Sequence, residues 1–232
     1  MVEVYAFKML DANCFLKYKE QLLAGLPDES RKKILSYTHP NAAQQTLIGE
    51  QLVRKILSTK TGIHPQDLVI QNNDHGKPGL SYPEGYFFNI SHSGEWVVAA
   101  FSGKPVGIDV QKIRNTKMDV ATRFFSPTEI NDLVNKSASD QQDYFYTLWA
   151  LKESYLKAIG TGLTQPLNSF TVIPSTRDKN DGFVLFQASE KIDMFINLLP
   201  FSDNYKLAVC SADPFLQKEI IYVDSNQWIT GN

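Results

Sequence analysis

The amino-acid sequence predicts an α+β chain made of two similar units. One long helical stripe followed by strand-like runs occurs twice along its 232 residues. The turn signal Gly103-Lys104-Pro105, with strand-like sequence on both sides, divides the chain into residues 1–104 and 105–232. The composition, 43% hydrophobic and 21% charged, is that of a globular chain long enough to bury its own core. No residue-level repeat accompanies the recurring order of elements, so the duplication is read from element order alone.

In the first unit, Phe15, Leu16, Leu22, Leu23 and Leu26 mark a helix that stops at Gly25-Leu26-Pro27, and Asp28 is the expected N-cap of a short basic helix through Lys33. A longer helix carries Ala43, Leu47, Leu52, Val53, Ile56 and Leu57 and ends at Thr61-Gly62. Strands are expected at 68–71, 86–91 and 96–102. The second unit opens with a strand over 106–111 and a helix before Ser126-Pro127-Thr128-Glu129, which supplies an N-cap, an N1 proline and a capping-box glutamate. Phe145, Leu148, Trp149, Tyr155, Leu156 and Ile159 then define a helix over 139–159 that stops at Gly160-Thr161-Gly162. Strands follow at 170–173, 183–187, 194–199 and 205–212.

Charge narrows the function classes. Lys plus Arg total 23 against 25 Asp plus Glu, a balance of -2 with the acid excess in the second unit, so no electrostatic case exists for a nucleic-acid or membrane-surface partner. Cys14 and Cys210 form neither a disulfide framework nor a CxxC pair and read as small apolar residues of a reducing compartment. The opening residues lack a basic region followed by a long apolar run, and no segment approaches the ~20 apolar residues of a membrane span. The expectation is a cytoplasmic protein.

Polar clusters interrupt this patterning where elements meet turns. In the strand over 106–111, Val106, Ile108 and Val110 project to one face and Gly107, Asp109 and Gln111 to the other. A carboxylate and an amide oxygen on one face suit a hard cation such as Mg²⁺; the alternative is an aspartate in solvent or paired to a basic side chain. Glu153 and Lys157 share a helix face one turn beyond Trp149, a spacing equally at home in a surface ion pair. Ser91 and His92 are adjacent on a strand and point to opposite faces, which rules out a serine–histidine catalytic pair. With Ser93, Gly94 and the Gly76-Lys77-Pro78 turn, they instead suit a grip on phosphate oxygens.

The ordered set G-K-P (76–78), F-N-I-S-H-S-G (88–94), V-G-I-D (106–109), R-F-F-S-P-T-E (123–129) and W-A-L-K-E-S-Y-L-K-A (149–158) resembles the Sfp-type 4'-phosphopantetheinyl transferases, from the first strand to about Pro214. The resemblance implies two α+β subdomains in a pseudo-twofold arrangement within a monomer, with coenzyme A in the cleft between them. It also implies Mg²⁺-dependent transfer of phosphopantetheine from coenzyme A to a serine of an apo peptidyl or acyl carrier protein, as in nonribosomal peptide synthesis, with release of 3',5'-ADP. Carried onto this sequence, it assigns the metal to Asp109 and Glu153, with Gln111 as a third contact where many relatives have an acid. Lys33, Thr46, Lys77, Ser91 and His92 are assigned to coenzyme phosphates, Lys157 to the pyrophosphate, and residues 112–125 to the carrier. Catalysis falls to Glu153 as general base, assisted by Lys157 and His92. Many relatives have a further lysine where this chain has Ser30. The competing readings are a Mg²⁺-dependent phosphoesterase and an inactive coenzyme-A-binding partner of carrier proteins.

Overall fold

The structure is a computed structural model that describes residues 1–175, 182–225 and 228. The first unit runs β1 (Val2–Lys8), α1 (Ala12–Ala24), α2 (Asp28–Leu35), α3 (Pro40–Thr61), β2 (Val69–Asn72), β3 (Pro78–Tyr82), β4 (Phe87–Ser93) and β5 (Trp96–Ser102). The second runs β6 (Val106–Lys112), α4 (Ala121–Phe124), α5 (Pro127–Val134), α6 (Ala138–Ile159), β7 (Thr171–Pro174), β8 (Phe183–Gln187), β9 (Glu190–Lys191), β10 (Phe195–Leu199), β11 (Tyr205–Ser211) and β12 (Leu216–Val223).

Element order recurs as the sequence predicts. One sheet has the order β12-β1-β5-β4 and the other β6-β11-β10-β8-β7, with β9 on β8, while β2 and β3 form a separate hairpin. In each unit the opening strand, β1 or β6, pairs antiparallel with a later one, β5 or β11, which pairs in turn with the strand before it. β1, β3, the two-residue β9 and β12 lie outside the strand ranges that the sequence predicts. β3 opens with Pro78-Gly79, residues that weaken a strand signal, and β12 carries Gln217-Lys218-Glu219, which blurs its alternation. β12 comes from beyond residue 214 and pairs in parallel with β1. Asp28 is a further correction: Pro27 occupies the N-cap, and Asp28 is the first helical residue, paired with Arg31.

The layers follow from strand alternation. On β1 and β5, Val4, Val98 and Ala100 face Ile108, Val110 and Leu207 of the second sheet, so the inner faces of the two sheets share one core. The outer face of the first sheet packs on α3 through Val97, Ala99 and Phe101 against Ile48, Leu52 and Leu57. The outer face of the second packs on α6 through Ala208 and Cys210 against Leu151, Tyr155 and Leu156. No helix among the described residues is long and apolar enough to cross a membrane.

The two sheets also meet along an edge. Asn89 Oδ1, Ser91 Oγ and Ser93 Oγ of β4 accept hydrogen bonds from the backbone N–H groups of Ile108, Val110 and Lys112 at 2.9, 3.2 and 3.0 Å. Alternate polar side chains thus replace a backbone ladder and satisfy the edge of β6, whose buried N–H groups need acceptors.

A second polar feature fixes α6. The Ser126–Glu129 capping box forms as predicted, with Glu129 Oε2 accepting from Ser126 N–H at 2.7 Å. Glu129 is also wholly buried: its Oε1 accepts from Val172 N–H at 2.7 Å and pairs with Lys152 Nζ at 2.8 Å. Lys152, equally buried, donates to the carbonyls of Leu167 and Phe170 at 2.9 and 2.6 Å. Truncating one member strands the other charge in the core. Glu129→Ala should therefore lower unfolding stability in urea by about 3–5 kcal/mol, whereas Glu95→Ala, which breaks the exposed Lys8–Glu95 pair, should cost at most about 1 kcal/mol. Equal losses would show that the buried pair carries no special weight.

Candidate active site

The site begins at a missing side chain. A Cβ on Gly107 of β6 would lie 2.1 Å from the Ser154 carbonyl oxygen and 2.3 Å from the Ala158 backbone nitrogen, so α6 rests directly on the β6 backbone. That approach brings Lys157 over Asp109, two residues along β6, with Nζ 2.5 Å from Oδ1. Asp109 is 2% exposed, and both its oxygens are engaged: Oδ1 by Lys157 and by the Ser91 hydroxyl at 3.0 Å, Oδ2 by the Gln111 amide N–H at 2.8 Å. Ser91 in turn accepts from Lys157 at 2.9 Å and from Val110 N–H. Its one donor and two acceptor positions are all used.

Glu153, one turn before Lys157, is half-buried and makes no hydrogen bond among the described residues. Burial pushes its pKa above the ordinary carboxylate value, the charge on Asp109 adds to the shift, and Lys157 opposes it. Two mutually repelling carboxylates, with the Gln111 amide N–H on one of them, supply oxygen donors of the kind that fit a hard divalent cation. No group of three or more His, Cys, Asp or Glu side chains suited to a metal occurs among the described residues. A cation here would therefore take its remaining ligands from Gln111, water or a bound anion.

On the opposite face of β4 lies a cavity of about 490 Å³ between α2, α3 and the β2–β3 hairpin. Lys33, Thr46 and His92 line it. Burial lowers the His92 pKa, with the Lys157 charge acting in the same direction, while the residue's own backbone and Asp109 act against them. The imidazole is thus neutral at neutral pH and offers one donor and one acceptor. Two features of the cavity escaped the sequence reading. Arg54 lines it but is spent on Glu50 at 3.0 Å and on the carbonyls of Pro65 and Leu68, and Ser30 donates to the same Glu50 oxygen at 2.5 Å.

The structure therefore gathers the predicted residues into two adjoining groups. Lys33, Thr46 and His92 face the cavity, whereas Ser91, Asp109, Gln111, Glu153 and Lys157 converge where β4, β6 and α6 meet. Lys77 belongs to neither. Its Nζ donates to the carbonyls of Val106 and Ala158 at 3.0 and 3.1 Å, and burial pushes its pKa down to about 8. Lys152 also escaped notice as a core residue, because a lysine within a helical run gives no sign of which partner awaits it.

Comparison with known proteins is consistent with both halves of this architecture. Residues 105–210 match the family model of the 4'-phosphopantetheinyl transferase superfamily, and residues 16–104 match that of the 4'-phosphopantetheinyl transferase N-terminal region. A 4'-phosphopantetheinyl transferase of Bacillus subtilis is 40% identical over 197 residues, spanning 84% of this chain and 86% of the relative. The 4'-phosphopantetheinyl transferase Sfp of Bacillus subtilis strain 168 is 37% identical over 205 residues, or 88% and 90% of the two chains. The transferase gsp of Aneurinibacillus migulanus is 35% identical, covering 82% of this chain and 78% of the relative. With matches of this extent in both halves, the chain belongs to the 4'-phosphopantetheinyl transferase superfamily of enzymes, among the Sfp-type members.

Proposed function

We propose that this enzyme transfers the 4'-phosphopantetheine group of coenzyme A to a serine hydroxyl of an apo peptidyl or acyl carrier domain, with Mg²⁺ and with release of 3',5'-ADP. The observation that carries the reading is the adjacency of two anion-handling groups across one strand. His92 faces the cavity while its neighbour Ser91 touches Asp109 and Lys157. A ligand with phosphates spaced as in coenzyme A can thus engage Lys33, Thr46 and His92 at one end and Lys157 with its pyrophosphate. Lys77, bonded to two carbonyls, has one remaining proton for such a ligand.

In the reaction, the carrier serine oxygen forms a bond to the β-phosphorus of the pyrophosphate, and the bond from that phosphorus to the bridging oxygen breaks. Glu153 takes the serine proton; the electron pair leaves on 3',5'-ADP, where the Lys157 ammonium stabilises it. Asp109, Glu153 and Gln111 would hold Mg²⁺, which supplies charge neutralisation when bound. No nucleophile of this chain is needed, in keeping with Ser91 being held by three hydrogen bonds. The segment 112–125, which leaves β6 beside the site and is tied to α6 through Thr116 and Gln142, is the proposed face for the carrier. Both residue groups come from one chain, divided at 104/105, which supports action as a monomer; charge balance and cysteine use support a cytoplasmic location.

Intact-mass measurement of an apo carrier domain incubated with coenzyme A, Mg²⁺ and the protein tests the reaction, and no mass gain on the carrier contradicts it. Glu153→Gln should keep the fold and lower turnover by about 100-fold or more through loss of the base; near-parental turnover at saturating Mg²⁺ would remove Glu153 from the chemistry. Gln111→Glu should tighten Mg²⁺, both in calorimetric titration with coenzyme A present and as a lower Mg²⁺ requirement for half-maximal rate, because it adds an anionic oxygen. Superimposable titrations would place residue 111 outside the metal's surroundings.

A further inference from the structure

The β2–β3 hairpin stands between two cavities. One is the phosphate-handling cavity, to which it contributes Gln71, Asn72 and Pro78; the other, of about 870 Å³, lies against the end of α6. Between them the hairpin tip, residues 73–77, meets the C-terminus of α6 from the other half of the molecule. Asn73 Nδ2 donates to the Gly160 carbonyl at 2.9 Å, and Lys77 Nζ donates to the Ala158 carbonyl at 3.1 Å. A helix leaves its last carbonyls without intrahelical partners. Here side chains more than 80 positions earlier supply the missing donors. The fit is close: Gly160 ends the helix at φ 74°, and a Cβ there would lie 3.0 Å from Asn73 Nδ2.

Asn73 has a double task. Its Oδ1 accepts from the N–H groups of His75 and Lys77 at 3.0 and 2.9 Å, which shapes the tip, while its Nδ2 reaches α6. Lys157 stands in the last turn of α6, three residues before Gly160, or about 4.5 Å along the axis. Fraying of that turn would loosen the ammonium that holds Asp109.

We propose that Asn73 is a positioning residue for phosphopantetheine transfer: by capping α6 across the two halves it keeps Lys157 and Glu153 in register with Asp109. The proposal rests on the transferase reading of that site. Because the same hairpin walls the first cavity, a ligand seated there bears on the same clamp.

Asn73→Asp separates the two tasks. It retains the acceptor for His75 and Lys77 but sets a carboxylate oxygen against the Gly160 carbonyl and the negative end of the helix dipole. Hydrogen exchange on the full chain without ligand should show amides at 157–160 exchanging about 10-fold faster, the effect of losing a hydrogen bond worth about 1.4 kcal/mol, with the hairpin amides unchanged. With coenzyme A and a carrier domain, kcat should fall about 10-fold while KM for coenzyme A stays within about twofold. Asn73→Ala, which also loses the tip bonds, should raise that KM as well. Unchanged exchange at 157–160, faster exchange with parental kcat, or a raised KM with parental kcat in Asn73→Asp each overturns the proposal. Absence of product from the parent chain would overturn the transferase reading instead, and the exchange result would still decide the capping role.

Discussion

The approach of α6 to β6 at Gly107 is the constraint on which the site depends. A helix backbone can lie this near a strand only where no side chain intervenes, and a Cβ here would fall 2.1 Å from the Ser154 carbonyl. The consequences run outward in both directions along the sequence. Asp109 points from the same face of β6 into the helix and meets Lys157, and Glu153 follows one turn away. On the far edge of β6, the N–H groups of Ile108, Val110 and Lys112 take their acceptors from β4, and that seam delivers Ser91 to Asp109 and turns His92 toward the cavity.

α6 is held by two lysines of different character. Lys152 is sealed in the core with Glu129 and two carbonyls, a pair that locks the helix against α5 and β7. Lys157, five residues on and therefore on a different face of the helix, keeps a partly exposed ammonium over a carboxylate that is 2% exposed. A buried carboxylate is costly unless paired and hydrogen-bonded. Asp109 meets that requirement through Lys157, Ser91 and Gln111 while remaining at the edge of the space that Glu153 faces. One helix thus combines a fully satisfied structural pair with a second pair left accessible to a ligand.

Much of this was legible in the sequence, and the limits have physical causes. The recurrence of a long helix and following strands fixed the duplicated α+β plan, because periodicity of 3.6 or 2 is a local property. Asp109 stands out because a charge within an apolar strand needs a partner, and Glu153 and Lys157 because four-residue spacing puts them on one helix face. The family resemblance supplied their roles, which spacing alone left open between a cation site and ordinary ion pairs. What stayed hidden depends on contacts between distant residues. The cluster around Ser91 and Ser93 reads as a grip on phosphate oxygens, and its seam role, with Asn89, needs β6 beside it. The bonds of Lys77 to the carbonyls of Val106 and Ala158, and the burial of Lys152 against Glu129 of α5, likewise join residues far apart in the sequence.

Gly107→Ala offers the most direct measurement of the central claim, that seating α6 on β6 assembles the site. Circular dichroism and thermal unfolding establish whether the variant retains its helices, and the rate of carrier modification is then measured at saturating coenzyme A and Mg²⁺. The account predicts a folded protein with lowered Tm and a kcat reduced by about 100-fold or more, because α6 must move off β6 and part Lys157 and Glu153 from Asp109. A variant with parental Tm and parental kcat would contradict it.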